Sequence, residues 1–383
     1  MAMEPFTLNV PESVLQDLKE RLARTRFPNE LNDADWSYGT DLGYLKEIVD
    51  YWRTKYDWRA AEARLNAFHH LRTDVDGLKL HFIHERGKGP KPLPLLISHG
   101  WPGSVVEFLK VIGPLTDPAA HGGDPADAFD VVAPSLPGYG FSAHAQTPGM
   151  HPGKIADVFA ALMQQVGYRR FGAQGGDWGA IITTCLGNQH PSQLVGIHLN
   201  MVVAFPPDES NPAAGLSEAE MVSLMEMQRF LNEETGYQRI QGTKPQTLGY
   251  ALNDSPAGLA AWIIEKFRTW SDCGGQIERR FTKDELLTNI MVYWVTESIT
   301  SSVRLYCEAQ RSGMFPPRGL RVDVPTGCAI FPREMFRPPR AWAEKVYNVQ
   351  RWTELPAGGH FAAMEEPQRF VDDVRAFFRP LRE

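Results

Sequence analysis

Several features are scarce or missing in the 383-residue chain. Only four cysteines occur, Cys185, Cys273, Cys307 and Cys328, far apart and without metal-ligand spacing. In a chain this long they are expected as reduced, mostly buried thiols, not as a disulfide framework or a metal site. No stretch approaches about 18 consecutive apolar residues, and the amino terminus MAMEPFTLNVPESV lacks the basic start and apolar run of a secretory signal. The expectation is a soluble, cytoplasmic protein without a membrane anchor. Positive charge is not in excess either: 39 Lys+Arg face 46 Asp+Glu, a formal net charge of −7. That balance argues against nucleic acid or an anionic membrane as a partner. Internal repeats and low-complexity tracts are absent.

What is present is a globular composition, 43% hydrophobic and 11% aromatic, with 33 Gly and 29 Pro spread along the chain. Length alone suggests two or three domains at about 150 residues each. The first 60 or so residues carry a helical period. Val14, Leu15, Leu18 and Leu22 share one face, as do Leu45, Ile48, Val49 and Trp52 in a run from Leu42 to Trp58. The period then changes. His70 to Val75 and Leu78 to Ile83, split by Asp76-Gly77, form a hairpin signal. Short apolar runs follow at Leu93–Ser98, Phe129–Ala133, Arg170–Ala173, Leu194–Leu199 and Val324–Phe331. Helical stretches at Ile155–Val166 and Trp178–Leu186 lie between them. Strands alternating with helices predict an α/β fold with a mainly parallel sheet covered on both faces. From about Phe205 to Pro317 the pattern is nearly all helix (Leu216–Asn232, Gly258–Trp270, Thr282–Glu297), most economically a cap inserted over an active site. The expected organisation is an amino-terminal packing module (1–67), a core in two parts (68–204 and 318–383) and the cap (205–317).

Three segments carry chemistry. Gly175-Gly176-Asp177-Trp178-Gly179 follows a strand and precedes a helix, the setting of a nucleophile elbow that exposes one side chain at the top of the sheet. Serine is the usual occupant, and aspartate changes the chemistry. Attack by a carboxylate at a carbonyl gives an anhydride that reverts, whereas attack at a saturated carbon leaves an alkyl ester, so the electrophile should be an sp³ carbon. Taken alone, the pentapeptide could equally be a plain turn. His99-Gly100-Trp101-Pro102-Gly103-Ser104 lies just past another strand. The backbone N–H groups of Trp101 and Trp178 are the candidate donors for an oxyanion, and His99 is read as a structural hydrogen-bonding residue. Gly358-Gly359-His360-Phe361 places a histidine on a Gly-rich loop near the carboxyl end, where it suits a base that activates water. The order nucleophile, acid, histidine requires an acid between Asp177 and His360. Glu334, just past Val324–Phe331, fits; Asp208 is the rival, and Asp323 stands at the wrong end of its strand. An aspartate nucleophile leaves two main leaving groups, halide or an epoxide oxygen, and the second needs a proton donor for which tyrosine is apt. The cap offers Tyr237, Tyr250, Tyr293 and Tyr306.

Over essentially its whole length the sequence resembles the microsomal-type epoxide hydrolases, which include insect juvenile hormone epoxide hydrolases and soluble bacterial members. The resemblance is carried by PFTLNVPES, KYDWRAAEARLNAFHHLRTDVDGLKLHFIHERG, HGWPGS, SLPGYGFS, GGDWG, ETGYQRIQGTKPQTLGYALNDSPAGLAAWIIEKF, VPTGCAIFPRE and GGHFAAMEEP. It implies an α/β-hydrolase fold with a helical cap and an amino-terminal module wrapped around the core. Asp177 would be the nucleophile, His360 the base, Glu334 the acid that orients it, and Tyr237 and Tyr306 the ring-opening donors. Trp101 and Trp178 would supply the oxyanion hole and, with Phe361, the substrate wall. Neither cofactor nor metal is implied. The partners would be a small-molecule epoxide and water, with a homo-oligomer compatible, in detoxification or natural-product biosynthesis. Mammalian members carry an amino-terminal anchor that this sequence is expected to lack, and the segment Ser271–Phe281 reads shorter than theirs. The alternatives are a haloalkane dehalogenase, which usually has asparagine where Trp101 stands and lacks the tyrosine pair, and a non-catalytic ligand-binding relative, which often lacks the base or the acid.

Overall fold

The computed structural model describes residues 3–208, 210–315 and 318–382. The expected boundary at residue 317 and the chain ends at 1–2 and 383 lie outside the described residues.

A nine-stranded sheet organises the molecule. Its strands are β1 (Glu4–Pro5), β2 (His70–Val75), β3 (Leu78–Glu85), β4 (Leu93–Ser98), β5 (Phe129–Pro134), β6 (Phe171–Gly175), β7 (Leu194–Leu199), β8 (Val322–Ile330) and β9 (Tyr347–Glu354). They lie in the order β1-β2-β3-β5-β4-β6-β7-β8-β9. The first three pairings are antiparallel and the remaining five parallel. Asp76 and Gly77 both take positive φ, 54° and 79°, and close the β2–β3 hairpin as the Asp-Gly pair requires. Side chains of the central strands alternate between two cores. Leu96, Val132 and Ala173 pack with helices Pro152–Val166 and Trp178–Gln189, whereas Leu95, Ile97, Val131 and Ala133 pack with helix Pro367–Phe378. Both faces are covered, which is why these strands read as continuous apolar runs.

The amino-terminal segment forms helices Glu12–Ala23, Leu42–Thr54 and Trp58–Leu65. The expected run from Leu42 to Trp58 is interrupted after Thr54, because the Asp57 side chain accepts the Ala60 N–H and caps a new helix. Between β7 and β8 the chain is helical: Glu218–Glu233, Gly236–Thr243, Pro245–Leu252, Pro256–Trp270, Lys283–Val295 and Ile299–Arg311. Two of these begin with reciprocal capping boxes, Ser217 with Glu220 and Thr282 with Glu285. The amino-terminal helices bind this inserted block directly. Tyr51 Oη donates to Asp284 at 2.9 Å, and Tyr56 Oη lies 3.0 Å from Thr288 Oγ1. All four cysteines are buried and free. Among the described residues no helix is long and apolar enough to cross a membrane.

Candidate active site

Parallel register brings the chemistry-bearing loops to one edge of the sheet. Ser98 of β4 lies opposite Gly175 of β6, and Gly175 opposite Leu199 of β7, so β4 and β6 end level and their following loops meet. The turn after β6 is sharp. Asp177 sits at φ 51°, ψ −128°, a conformation that costs a non-glycine residue about 1–3 kcal/mol and persists only where the surroundings enforce it. One enforcing contact is Gly179, where an added Cβ would stand 1.9 Å from the Ser98 carbonyl oxygen. The helix Trp178–Gln189 is thereby drawn against the end of β4, and the Asp177 carboxylate projects toward the neighbouring loop.

That loop receives it. The Trp101 N–H donates to Asp177 Oδ1 at 2.8 Å. His360 Nε2 stands 3.3 Å from Asp177 Oδ2 on the other side of the carboxylate. The His360 Nδ1 edge faces Glu334, 3.1 and 3.0 Å from its two oxygens. Backbone pairing makes this meeting possible: the Arg333 N–H donates to the Gly358 carbonyl at 3.1 Å, joining the loop after β8 to the histidine loop. Glu334 Oε1 also accepts the Met335 N–H at 2.7 Å. The side chains of His360 and Glu334 are 3% and 1% exposed, while Asp177 retains 15%. The nucleophile candidate retains some accessibility and its partners almost none.

Burial works against a charge on His360, but the carboxylates of Glu334 and Asp177 outweigh it and hold the imidazole pKa well above its ordinary value. The histidine loop is fastened from below. His360 N–H donates to the Trp270 carbonyl at 3.0 Å, and Glu365 accepts the Phe361 and Asp272 N–H groups at 3.0 and 2.7 Å.

Above the carboxylate lie aromatic rings from the inserted helices. Tyr237 stacks on Trp101 with centroids 5.3 Å apart, and Tyr306 meets Trp178 edge-on at 4.7 Å. The two tyrosine rings are 5.8 Å apart. Burial, reinforced by the negative charge of Asp177, pushes both phenols up, so each keeps its proton at neutral pH. Lys266, itself buried, places its ammonium 4.7 Å from the centroid of Tyr237.

The profile of the epoxide hydrolase N terminus matches residues 3–108, and that of the alpha/beta hydrolase fold matches residues 94–247. A protein of Stigmatella aurantiaca is 50% identical over 379 residues, covering 99% of this chain and 85% of its own length. Epoxide hydrolase 1 of Oryctolagus cuniculus is 39% identical over 402 residues, covering 98% and 88%. The crystal structure of juvenile hormone epoxide hydrolase from the silkworm Bombyx mori superposes with a TM-score of 0.92 at 34% identity, covering 100% of this chain and 95% of that one.

The chain belongs to the epoxide hydrolase family.

Of the residues expected from the sequence, this family member brings Asp177, His360, Glu334, Trp101, Trp178, Tyr237 and Tyr306 together. The rival acids lie elsewhere. Asp208 is exposed and accepts from Ser210, and Asp323 pairs with Arg321. Of the other cap tyrosines, Tyr250 is 72% exposed, and Tyr293 donates its hydroxyl to the Gly103 carbonyl. His99 has a bonding role: it is buried, its Nδ1 lies 3.0 Å from the Gly100 carbonyl, and its Nε2 accepts the Leu136 N–H at 3.3 Å. Phe361 is committed to packing, stacked on Phe267 at 3.9 Å and edge-on to His360 at 5.1 Å.

Three residues escaped the sequence: Trp270, whose ring packs 5.2 Å from His360; Lys266; and Glu107, whose carboxyl feels both His360 and Asp177. Trp270 ends a helix just before a Gly-rich turn, a local signal that could have marked it. The other two look like ordinary helix charges.

Proposed function

We propose that the protein hydrolyses an epoxide to a vicinal diol through an alkyl ester on Asp177. The observation that carries this is an aspartate at the elbow, bonded to the Trp101 N–H and facing two buried tyrosines. Asp177 attacks one epoxide carbon, the C–O bond breaks, and the departing oxygen takes a proton from Tyr237 or Tyr306. A phenol suits this role because it is protonated at pH 7 yet far more acidic than the alcohol being formed.

Ring opening leaves a tyrosinate, and esterification removes one of the two carboxylates that raise the His360 pKa, so the imidazole can pass its proton to the tyrosinate and become the neutral base that the next step needs. His360, still oriented by Glu334, then takes a proton from water, and the water oxygen attacks the ester carbonyl. The N–H groups of Trp101 and Trp178 hold the resulting oxyanion. Collapse breaks the acyl C–O bond: His360 gives the proton taken from water to the departing diol oxygen, and the Asp177 carboxyl passes the second water proton to His360, which restores both groups. In this account residues 205–317 serve as the lid that brings the tyrosines, and residues 1–67 brace it. The substrate is a small-molecule epoxide, and detoxification and biosynthetic roles both fit this chemistry.

The test is a single turnover in heavy-oxygen water. Label should enter Asp177 and be missing from the first diol; label in that diol would mean direct attack by water. Halide release from haloalkanes, measured alongside, should be negligible beside diol formation.

A further inference from the structure

The loop after β4 contains two glycines that each make room for a carboxyl group. A Cβ on Gly100 would stand 2.1 Å from Asp177 Oδ1, and a Cβ on Gly103 would stand 1.5 Å from Glu107 Oε1. One short loop thus cradles two acids, with Trp101 between the glycines donating its N–H to the first. Glu107 lies in the 3₁₀ turn Val105–Phe108 that follows the loop, flanked by the buried Val105, Val106 and Phe108. Its side chain is half-buried and turns back under the loop instead of out to solvent.

We propose that Glu107 is a water-positioning residue of the second half-reaction, holding the hydrolytic water for His360 on the loop side of Asp177.

The water must give one proton to His360 while its oxygen approaches the ester carbon. Its second hydrogen then needs an acceptor, and a carboxyl oxygen beside Gly103 provides one without taking the proton. Glu107 also responds to the state of the site. Burial pushes its pKa up to about 8; the charge of Asp177 adds to that rise, while His360 and the Gly100 N–H oppose it. Once Asp177 is esterified its charge is gone, and Glu107 becomes a better acceptor when water is to be held.

The role presupposes the two-step route proposed above, and the two can fail separately. Ester formation and ester decay would be measured independently by rapid quench and protein mass in the Glu107→Gln variant, with thermal unfolding as the check on folding. Decay is expected to slow about tenfold or more, the effect of one hydrogen bond of ordinary strength, with ester formation changed by less than about twofold. Because ester then accumulates, kcat and KM should fall together. Equal losses in both steps, or decay at the native rate, would overturn the role of Glu107. Absence of any ester in the unsubstituted protein would instead overturn the two-step route. Should the glutamine variant not fold, Glu107→Asp, which withdraws the carboxyl by one carbon, applies the same comparison: slower decay with unchanged formation supports the role, and an unchanged ratio of the two rates overturns it.

Discussion

The site is assembled from two regions held by different forces. On the core side, Asp177, His360 and Glu334 stand on loops at strand ends, and directional contacts fix them: the Trp101 N–H, the Nδ1 contacts to Glu334, and the Arg333–Gly358 backbone pair. On the inserted helical side, Tyr237 and Tyr306 are held chiefly by ring packing against Trp101, Trp178 and each other. The division suits the proposed chemistry. Charges that attack and abstract protons need geometry set to a fraction of an ångström, whereas a proton donor needs above all to be kept neutral and dry, which burial does.

The contrast can be broken most forcefully on the helical side. If the phenols donate as proposed, each single replacement, Tyr237→Phe or Tyr306→Phe, should slow ester formation about tenfold, because the remaining phenol can still donate; the double variant should lose about 10³-fold or more, beyond the product of the single losses. Stopped-flow measurement of ester formation would show it, and losses that simply multiply would mean that the phenols do not substitute for each other. On the core side, Glu334→Gln should leave ester formation within a few-fold and slow ester decay about a hundredfold, since an unoriented imidazole loses its stabilised cation. Rapid-quench kinetics decide between that outcome and equal loss in both steps.

The smallest effect concerns the scaffold of the core side. Burial lowers the pKa of His99 to about 4, below the ordinary value near 6.5 that it regains on unfolding. The unfolded chain therefore binds the proton first, so the stability that neutral His99 contributes is complete above pH 6.5 and is lost as pH falls toward 4. The slope is about 1.4 kcal/mol per pH unit. The stability advantage of the protein over His99→Gln should accordingly narrow by about 2 kcal/mol between pH 6.5 and 5, as chemical denaturation at the two pH values would measure. A constant gap would mean that His99 does not stay neutral in the fold.

The same division governs what could be read before folding. Strands β4 and β7 coincide with their apolar runs, and the hairpin turn with Asp76-Gly77, because both signals are local. Strand β9 was not expected: Tyr347–Glu354 is mostly half-exposed and bonded only to β8, so its polar side chains mask it. Helices Gly236–Thr243 and Pro245–Leu252 are short and interrupted by Gly242, Pro245 and Gly249, which weakens their period. In the site, Asp177 is legible because its turn is written in five adjacent residues, and the resemblance supplied the tyrosines. Glu107 is not legible, since Ser-Val-Val-Glu-Phe gives no hint that its acid folds back under a glycine loop.

The bond from the Trp101 N–H to Asp177 also bears on how far the elbow tolerates exchange. Replacing the aspartate with serine would shorten the side chain, withdraw the acceptor from an N–H at the closed end of a loop, and remove one of the two anions that hold the histidine's proton. A single substitution would thus disturb the loop and the base together. On the proposed route, exchanging this side chain would therefore call for matching changes in the Trp101 loop and around His360.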